Sequence, residues 1–173
     1  MFLYHLLAIA ALTLQSSGGR LAYTAPPAWH TRPPASSMRV AEFVIPKAAG
    51  DQEDAELIVY YFGGTGGSAD ANIERWIGQM QQPDGKPSTT SARRDTRTVN
   101  GLKVSMVDVS GTYVAEVSPG AAEHFNKPDF RLRAAVVETA KGPYYVKLTG
   151  PAKTVAAAGP AFDRFMSSLH FVK

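Results

Sequence analysis

The residues with the most chemical meaning are Gly64-Thr65-Gly66-Gly67-Ser68-Ala69, which fit the pattern G-x-G-x-x-A between an apolar run and a helix-like stretch. In a dinucleotide-binding unit such glycines let backbone amides close on a pyrophosphate at a helix N-terminus, and a parallel second strand and an acidic residue about 20 positions on complete the site. Asp84 stands at about that distance but inside Gln81-Gln82-Pro83-Asp84-Gly85-Lys86-Pro87, a turn sequence, and the strand beyond it carries hairpin signals. The loop also lacks the Lys-Ser/Thr ending of a phosphate-binding loop. Its simpler role is to turn a strand sharply into a helix. On that helix Asn72 and Arg75 lie three apart and share one side, beside Trp76. Gly64, Gly66, Asn72, Arg75 and Trp76 are therefore the candidate ligand-binding set, because a loop at a helix N-terminus offers free donors and an arginine grips an anion with two.

Other chemistries find less support. His5, His30, His124 and His170 are scattered without metal-ligand spacing, and no G-x-S-x-G elbow is present. The carboxylates at 51, 53, 54 and 56 cluster before a strand and read as a solvated turn rather than an acid/base pair, which would need an environment that shifts its pKa. The absence of cysteine removes disulfides, thiolate metal sites and a thiol nucleophile. No catalytic residue, metal or cofactor is expected. Eighteen Lys and Arg against 15 Asp and Glu give +3, which falls to +1 without Arg20 and Arg32. Arg93, Arg94 and Arg97, interrupted by Asp95, read as a charged strand edge, short of the basic face that nucleic acid demands.

The apolar run Phe2 to Leu14, followed by small polar residues to Gly19, reads as a secretory signal over residues 1–19, too short for a membrane span. Residues 20–37 hold Pro26-Pro27 and Pro33-Pro34 and read as an extended linker. Trp29, its one large apolar residue, either caps the core or is exposed for a partner; it is the candidate partner-binding residue.

Residues 38–173 then form one domain. Met38 to Ile45 alternates as a strand, and Leu57 to Phe62 is a continuous β-branched and aromatic run suited to mid-sheet. Ser68 or Asp70 can cap a helix whose Ile73, Trp76, Ile77 and Met80 make one apolar stripe. Asn100-Gly101 between two strand-like runs is a hairpin signal, since both central residues take positive φ. Thr112 to Val117 continues as a strand, and Pro119 to Asp129 is an irregular insertion. Arg131 to Thr139 and Tyr144 to Leu148 make a second hairpin, and Phe162, Phe165, Met166 and Leu169 share a face of a C-terminal helix that Gly159-Pro160 kinks or starts. The order implies an α+β fold, a mostly antiparallel sheet flanked by helices.

Three segments, Met-Arg-Val-Ala-Glu-Phe-Val-Ile-Pro at 38–46, Asn-Ile-Glu-Arg-Trp at 72–76 and Tyr-Tyr-Val-Lys-Leu-Thr-Gly-Pro at 144–151, give residues 38–169 a layout that resembles the PsbP-like superfamily, with its DcrB-type lipoproteins and Ran-binding Mog proteins. The chain is also similar to uncharacterised exported bacterial proteins that share these segments. The resemblance implies an α/β/α sandwich, noncatalytic, that docks to protein partners. The lipobox cysteine of DcrB-type proteins is missing, and no partner or metal residue of PsbP is matched. The reading is thus an exported, noncatalytic binding module with an envelope or extracellular protein as partner, no nucleic acid, and no membrane span once the signal is removed. The alternatives are a nucleotide- or anion-binding protein or enzyme using the Gly63 to Gly67 loop, and a structural subunit of an envelope assembly.

Overall fold

Alternating apolar residues give this chain its sheet, and the computed structural model describes it over residues 19–173. The signal reading of residues 1–19 falls almost wholly outside the described residues. In chain order the elements are β1 (Arg20–Ala22), β2 (His30–Arg32), β3 (Arg39–Ile45), β4 (Ala55–Tyr61), α1 (Ala69–Ile77), β5 (Met80–Gln81), β6 (Arg93–Val99), β7 (Leu102–Tyr113), β8 (Lys127–Val137), β9 (Tyr144–Pro151), α2 (Ala152–Ala157), α3 (Gly159–Ser168) and β10 (His170–Val172). One sheet runs β2-β3-β4-β9-β8-β7, and β7 pairs β6 along its first half and β5 at its end. Every ladder among the described residues is antiparallel. This is the expected α+β architecture.

Period-2 alternation sends successive side chains to opposite faces, so each strand feeds two cores. Phe43, Leu57, Val59, Val146 and Leu148 meet Phe162, Phe165, Met166 and Leu169 on one face. Val107, Val109, Leu132, Val136 and Tyr145 meet Ile73, Trp76 and Ile77 of α1 on the other. Helices therefore cover both faces, as in an α/β/α sandwich. The continuous run of β4 is explained by this double burial: Leu57, Ile58 and Val59 are all buried. Asn100 and Gly101 take φ of 47° and 81° and close the β6–β7 hairpin. At Gly159-Pro160 one helix ends and another begins, because proline cannot donate to the preceding turn.

Three expectations need correction. Residues 20–37 are not a linker. β1 pairs β10 in a small ribbon and β2 pairs β3, while the prolines fall outside these three-residue strands where no ladder donor is required. The domain therefore begins before residue 38. Trp29 is 7% exposed and packs between Phe43 and Phe165, with ring centroids 5.9 and 5.5 Å away, so burial of its indole outweighs the chain entropy of the segment. It caps the core and presents no surface to a partner. The strand expected over Thr112 to Val117 ends at Tyr113, beyond which only an isolated bridge joins Glu116 to His124.

Candidate functional site

The glycine loop is held from three sides. Gly63, Gly64 and Gly67 have φ of 62°, 88° and 84°, values that side chains disfavour. Gly66 backs onto the Tyr145 ring so closely that any Cβ would collide with it, and the Tyr145 hydroxyl donates to the Gly67 carbonyl at 3.0 Å. Ser68 caps α1 by accepting from the Ala71 amide, as its position before the helix predicts. Asn72, 4% exposed, donates through Nδ2 to the carbonyls of Gly66 and Ser68, both at 2.9 Å. Arg75 Nη2 then donates to Asn72 Oδ1 at 2.7 Å.

Of the predicted set, Gly66, Asn72 and Arg75 thus form one hydrogen-bonded unit. Gly64 lies instead against Gly142 of the β8–β9 turn. Trp76 is 3% exposed and meets Tyr145 edge-on at 6.4 Å, so it belongs to the core and offers no face to a ligand. The dinucleotide geometry is absent as well: the strand after α1 is the two-residue β5, antiparallel to β7, where a parallel crossover is required.

What Arg75 faces is more informative. Helix α1 packs chiefly over β7 and β8, and beyond it the register brings Lys147, Ile58 and Glu42 side by side across β9, β4 and β3 on this face. Register places Lys147 opposite Ile58 on β4 and Ala134 on β8, in the middle of the sheet. Its ammonium donates to Gln79 Oε1 at 2.7 Å and to the Tyr113 hydroxyl at 2.9 Å, and lies over the Tyr113 ring. Burial pushes it down from 10.5 to about 8; Glu56 opposes the shift, while Arg75 and Arg39 add to it. Burial likewise pushes the Tyr113 phenol up, so it stays a neutral partner. Beside Lys147, the Thr149 hydroxyl is buried with no hydrogen-bond partner.

The outer part of this flank is organised by Glu42, which is fully buried yet charged. Burial pushes its carboxyl up, but the Ala35 amide at 2.6 Å and the guanidinium groups of Arg32 and Arg39 together outweigh it and hold the group below the ordinary range. Arg32 also reaches Glu56 at 2.9 Å. Among the described residues neither Arg75 nor Lys147 has an ion-pair partner. The arrangement is a cationic flank whose two inner cations are satisfied by neutral groups alone.

No protein-family model and no curated protein matches the chain. Solved structures resemble it in shape. A Pseudomonas aeruginosa protein of unknown function, described as a putative regulator, superposes with a TM-score of 0.52 at 14% identity, over 82% of this chain and 96% of its own. LpqN, involved in cell envelope biogenesis of Mycobacterium tuberculosis, gives 0.53 at 10% identity, over 90% and 85%. Cyanobacterial PsbP from Synechocystis gives 0.50 at 12% identity, over 94% and 98%. The chain has the PsbP-like fold. At these identities the likeness concerns the fold alone.

Within this PsbP-like fold several other polar residues singled out in the sequence have structural partners. Asp51 Oδ2 accepts from the Thr154 amide and hydroxyl at 2.9 and 2.6 Å, tying the β3–β4 turn to α2. Asp54 accepts from the Lys47 amide, and Glu53 pairs with Lys127. The His124 ring bonds the Val114 carbonyl at 2.9 Å. Among the described residues no group of three His, Asp or Glu is placed to hold a metal. Lys147, Gln79 and Tyr113 were missed by sequence reasoning. The signal available was a lysine inside the apolar run Tyr144 to Leu148.

Proposed function

We propose that this chain is a noncatalytic binding module of the cell envelope that takes an acidic group of a protein partner on the flank beside α1. The observation that carries the reading is the pair Arg75 and Lys147, two cations on one side of the sheet held by Asn72, Gln79 and Tyr113 with no carboxylate against either. A buried ammonium without a counter-ion gains most from an incoming carboxylate, because the new charge removes the cost of its desolvation. Arg75 stands at the rim, where its position is fixed by Asn72 and its remaining donors are free to form a charge-assisted pair. The envelope setting is supported by the signal-like run Phe2 to Leu14 and by LpqN, a structural neighbour involved in envelope biogenesis. The noncatalytic reading is supported by the loop itself: its Gly66 and Gly67 carbonyls are tied to Asn72 and Tyr145, which fixes it as a strand-to-helix turn, and the strand after α1 is antiparallel where a dinucleotide site needs a parallel one.

The test is retention of a partner from an envelope extract on the immobilised chain. A protein that elutes with salt and is lost from both Arg75→Ala and Lys147→Met, while both variants stay folded, is the expected result. Retention that neither substitution weakens overturns the site assignment.

A further inference from the structure

The opposite face carries a second charged feature, independent of the flank beside α1. Helix α3 crosses the sheet toward β6 but leaves open a cavity of about 310 Å³ over β6, β7 and β8. Register aligns Arg93, Asp108 and Arg133 across the three strands, with Asp95 and Arg97 following along β6 on the same face. All five line the cavity.

The charges do not balance within the protein. Asp108 is taken by Arg131, whose Nε and Nη2 donate to its two oxygens at 2.8 and 2.5 Å. Asp163 of α3 is taken by Arg133 Nη2 at 2.7 Å. Among the described residues Arg93 and Arg97 have no ion-pair partner. More telling, Arg97 Nε and Arg133 Nε are both buried without a hydrogen-bond acceptor, the latter 3.6 Å from an Asp108 oxygen and so out of bonding reach. The Arg133 guanidinium is nonetheless paired, by Asp163, by Asp108 and by the Phe162 ring 4.4 Å away, so the cations of the cavity left without a counter-charge are Arg93 and Arg97, and with Arg97 Nε shielded it is their terminal nitrogens that can take an acceptor from outside. The acceptor must be compact, because Asp95 and Asp163 interrupt the basic run that a polyanion would follow.

We propose that this cavity binds inorganic phosphate as hydrogenphosphate. Arg93 and Arg97 supply the donors to its oxygens, and Arg133, held by Asp163, adds its charge to the wall. Asp95, the lining carboxylate without an ion pair, accepts the one proton the ion retains. Sulfate has the same shape and charge but no proton at neutral pH, so Asp95 repels it.

Calorimetric titration of the full chain at low salt tests this with phosphate, sulfate and glycerol phosphate as probes. Saturable one-site binding of phosphate is expected, with sulfate at least about tenfold weaker. Arg97→Gln should weaken phosphate at least about tenfold, Asp95→Asn should narrow the gap between phosphate and sulfate, and Lys86→Gln, at an exposed loop position outside both sites, should change nothing. Should Arg97→Gln fail to fold, the exposed Arg93→Gln takes its place with the same expectation. The proposal is overturned by an absence of saturable phosphate binding up to about 10 mM. Equal affinity for sulfate, tighter binding of glycerol phosphate than of phosphate, or phosphate binding that Arg97→Gln and Arg93→Gln both leave unchanged also overturns it. None of these results bears on the partner site beside α1, whose variants are read separately.

Discussion

Replacing Lys147 by methionine should change how stability depends on pH. In the unfolded chain this lysine titrates at its ordinary 10.5, whereas burial in the fold pushes it down to about 8. Between these values the unfolded chain binds the extra proton, so native stability rises with pH across the window and falls as pH drops through 8. At pH 7 the fold carries a charged ammonium at a cost of at most about 3 kcal/mol, and by pH 9.5 at most about 1 kcal/mol of that cost remains. Wild type should therefore gain up to about 2 kcal/mol on Lys147→Met between pH 7 and 9.5. The difference between the two proteins cancels the other titrating groups, including the tyrosines whose phenols burial pushes up. Urea unfolding followed by far-UV circular dichroism at the two pH values measures it. Parallel pH profiles for the two proteins would show that the ammonium is solvated in the fold, and the case for a desolvated cation without a counter-ion beside α1 would go with it.

Gly66→Ala should cost about 2 kcal/mol in the same unfolding assay, because the new methyl group meets the Tyr145 ring and the loop cannot retreat from its bonds to Asn72. Trp29→Ala should cost about 3 kcal/mol, which a linker residue would not. Glu42→Ala should cost about 3 kcal/mol by leaving Arg32, Arg39 and the Ala35 amide without their buried acceptor, while Glu56→Ala, at a half-exposed pair, should cost under about 1 kcal/mol. The contribution of Glu42 is complete above the ordinary carboxylate range and is lost as pH falls through its lowered native value, so Glu42→Ala should flatten the acid limb of the stability profile.

Local signals in the sequence translated well into structure wherever a few residues decide the outcome. Asn100-Gly101, the Ser68 cap and the break at Gly159-Pro160 each act within about a turn of chain. The alternation of β3 and the double burial of β4 were equally plain. Residues 20–37 were misread because proline and glycine content describes a segment's own preferences, and these were outweighed by the contacts of Trp29 with Phe43 and Phe165. The site was half legible. Asn72 and Arg75 follow from helical spacing, but Trp76 has the same spacing on the apolar side and went inward. Lys147 was hidden for a different reason: alternation tells which face a strand residue takes, and only the register of β9 between β4 and β8 tells what covers it.

The place of β9 has a consequence for how the chain reaches its native state. The β3–β4 hairpin is complete by residue 61, yet the long free edge of β4 finds its partner only when residues 144–149 arrive. Until then six consecutive residues, Glu56 to Tyr61, present unpaired backbone and an apolar surface to any other strand within reach. Closing that gap brings together segments separated by residues 62–143, a loop-closure cost that slows folding relative to a meander with neighbours in sequence order. A circular permutant opened in the β8–β9 turn, with the ends joined beside the β1–β10 ribbon, would carry β9 ahead of β4 and so have the partner of that edge already in the chain when β4 emerges.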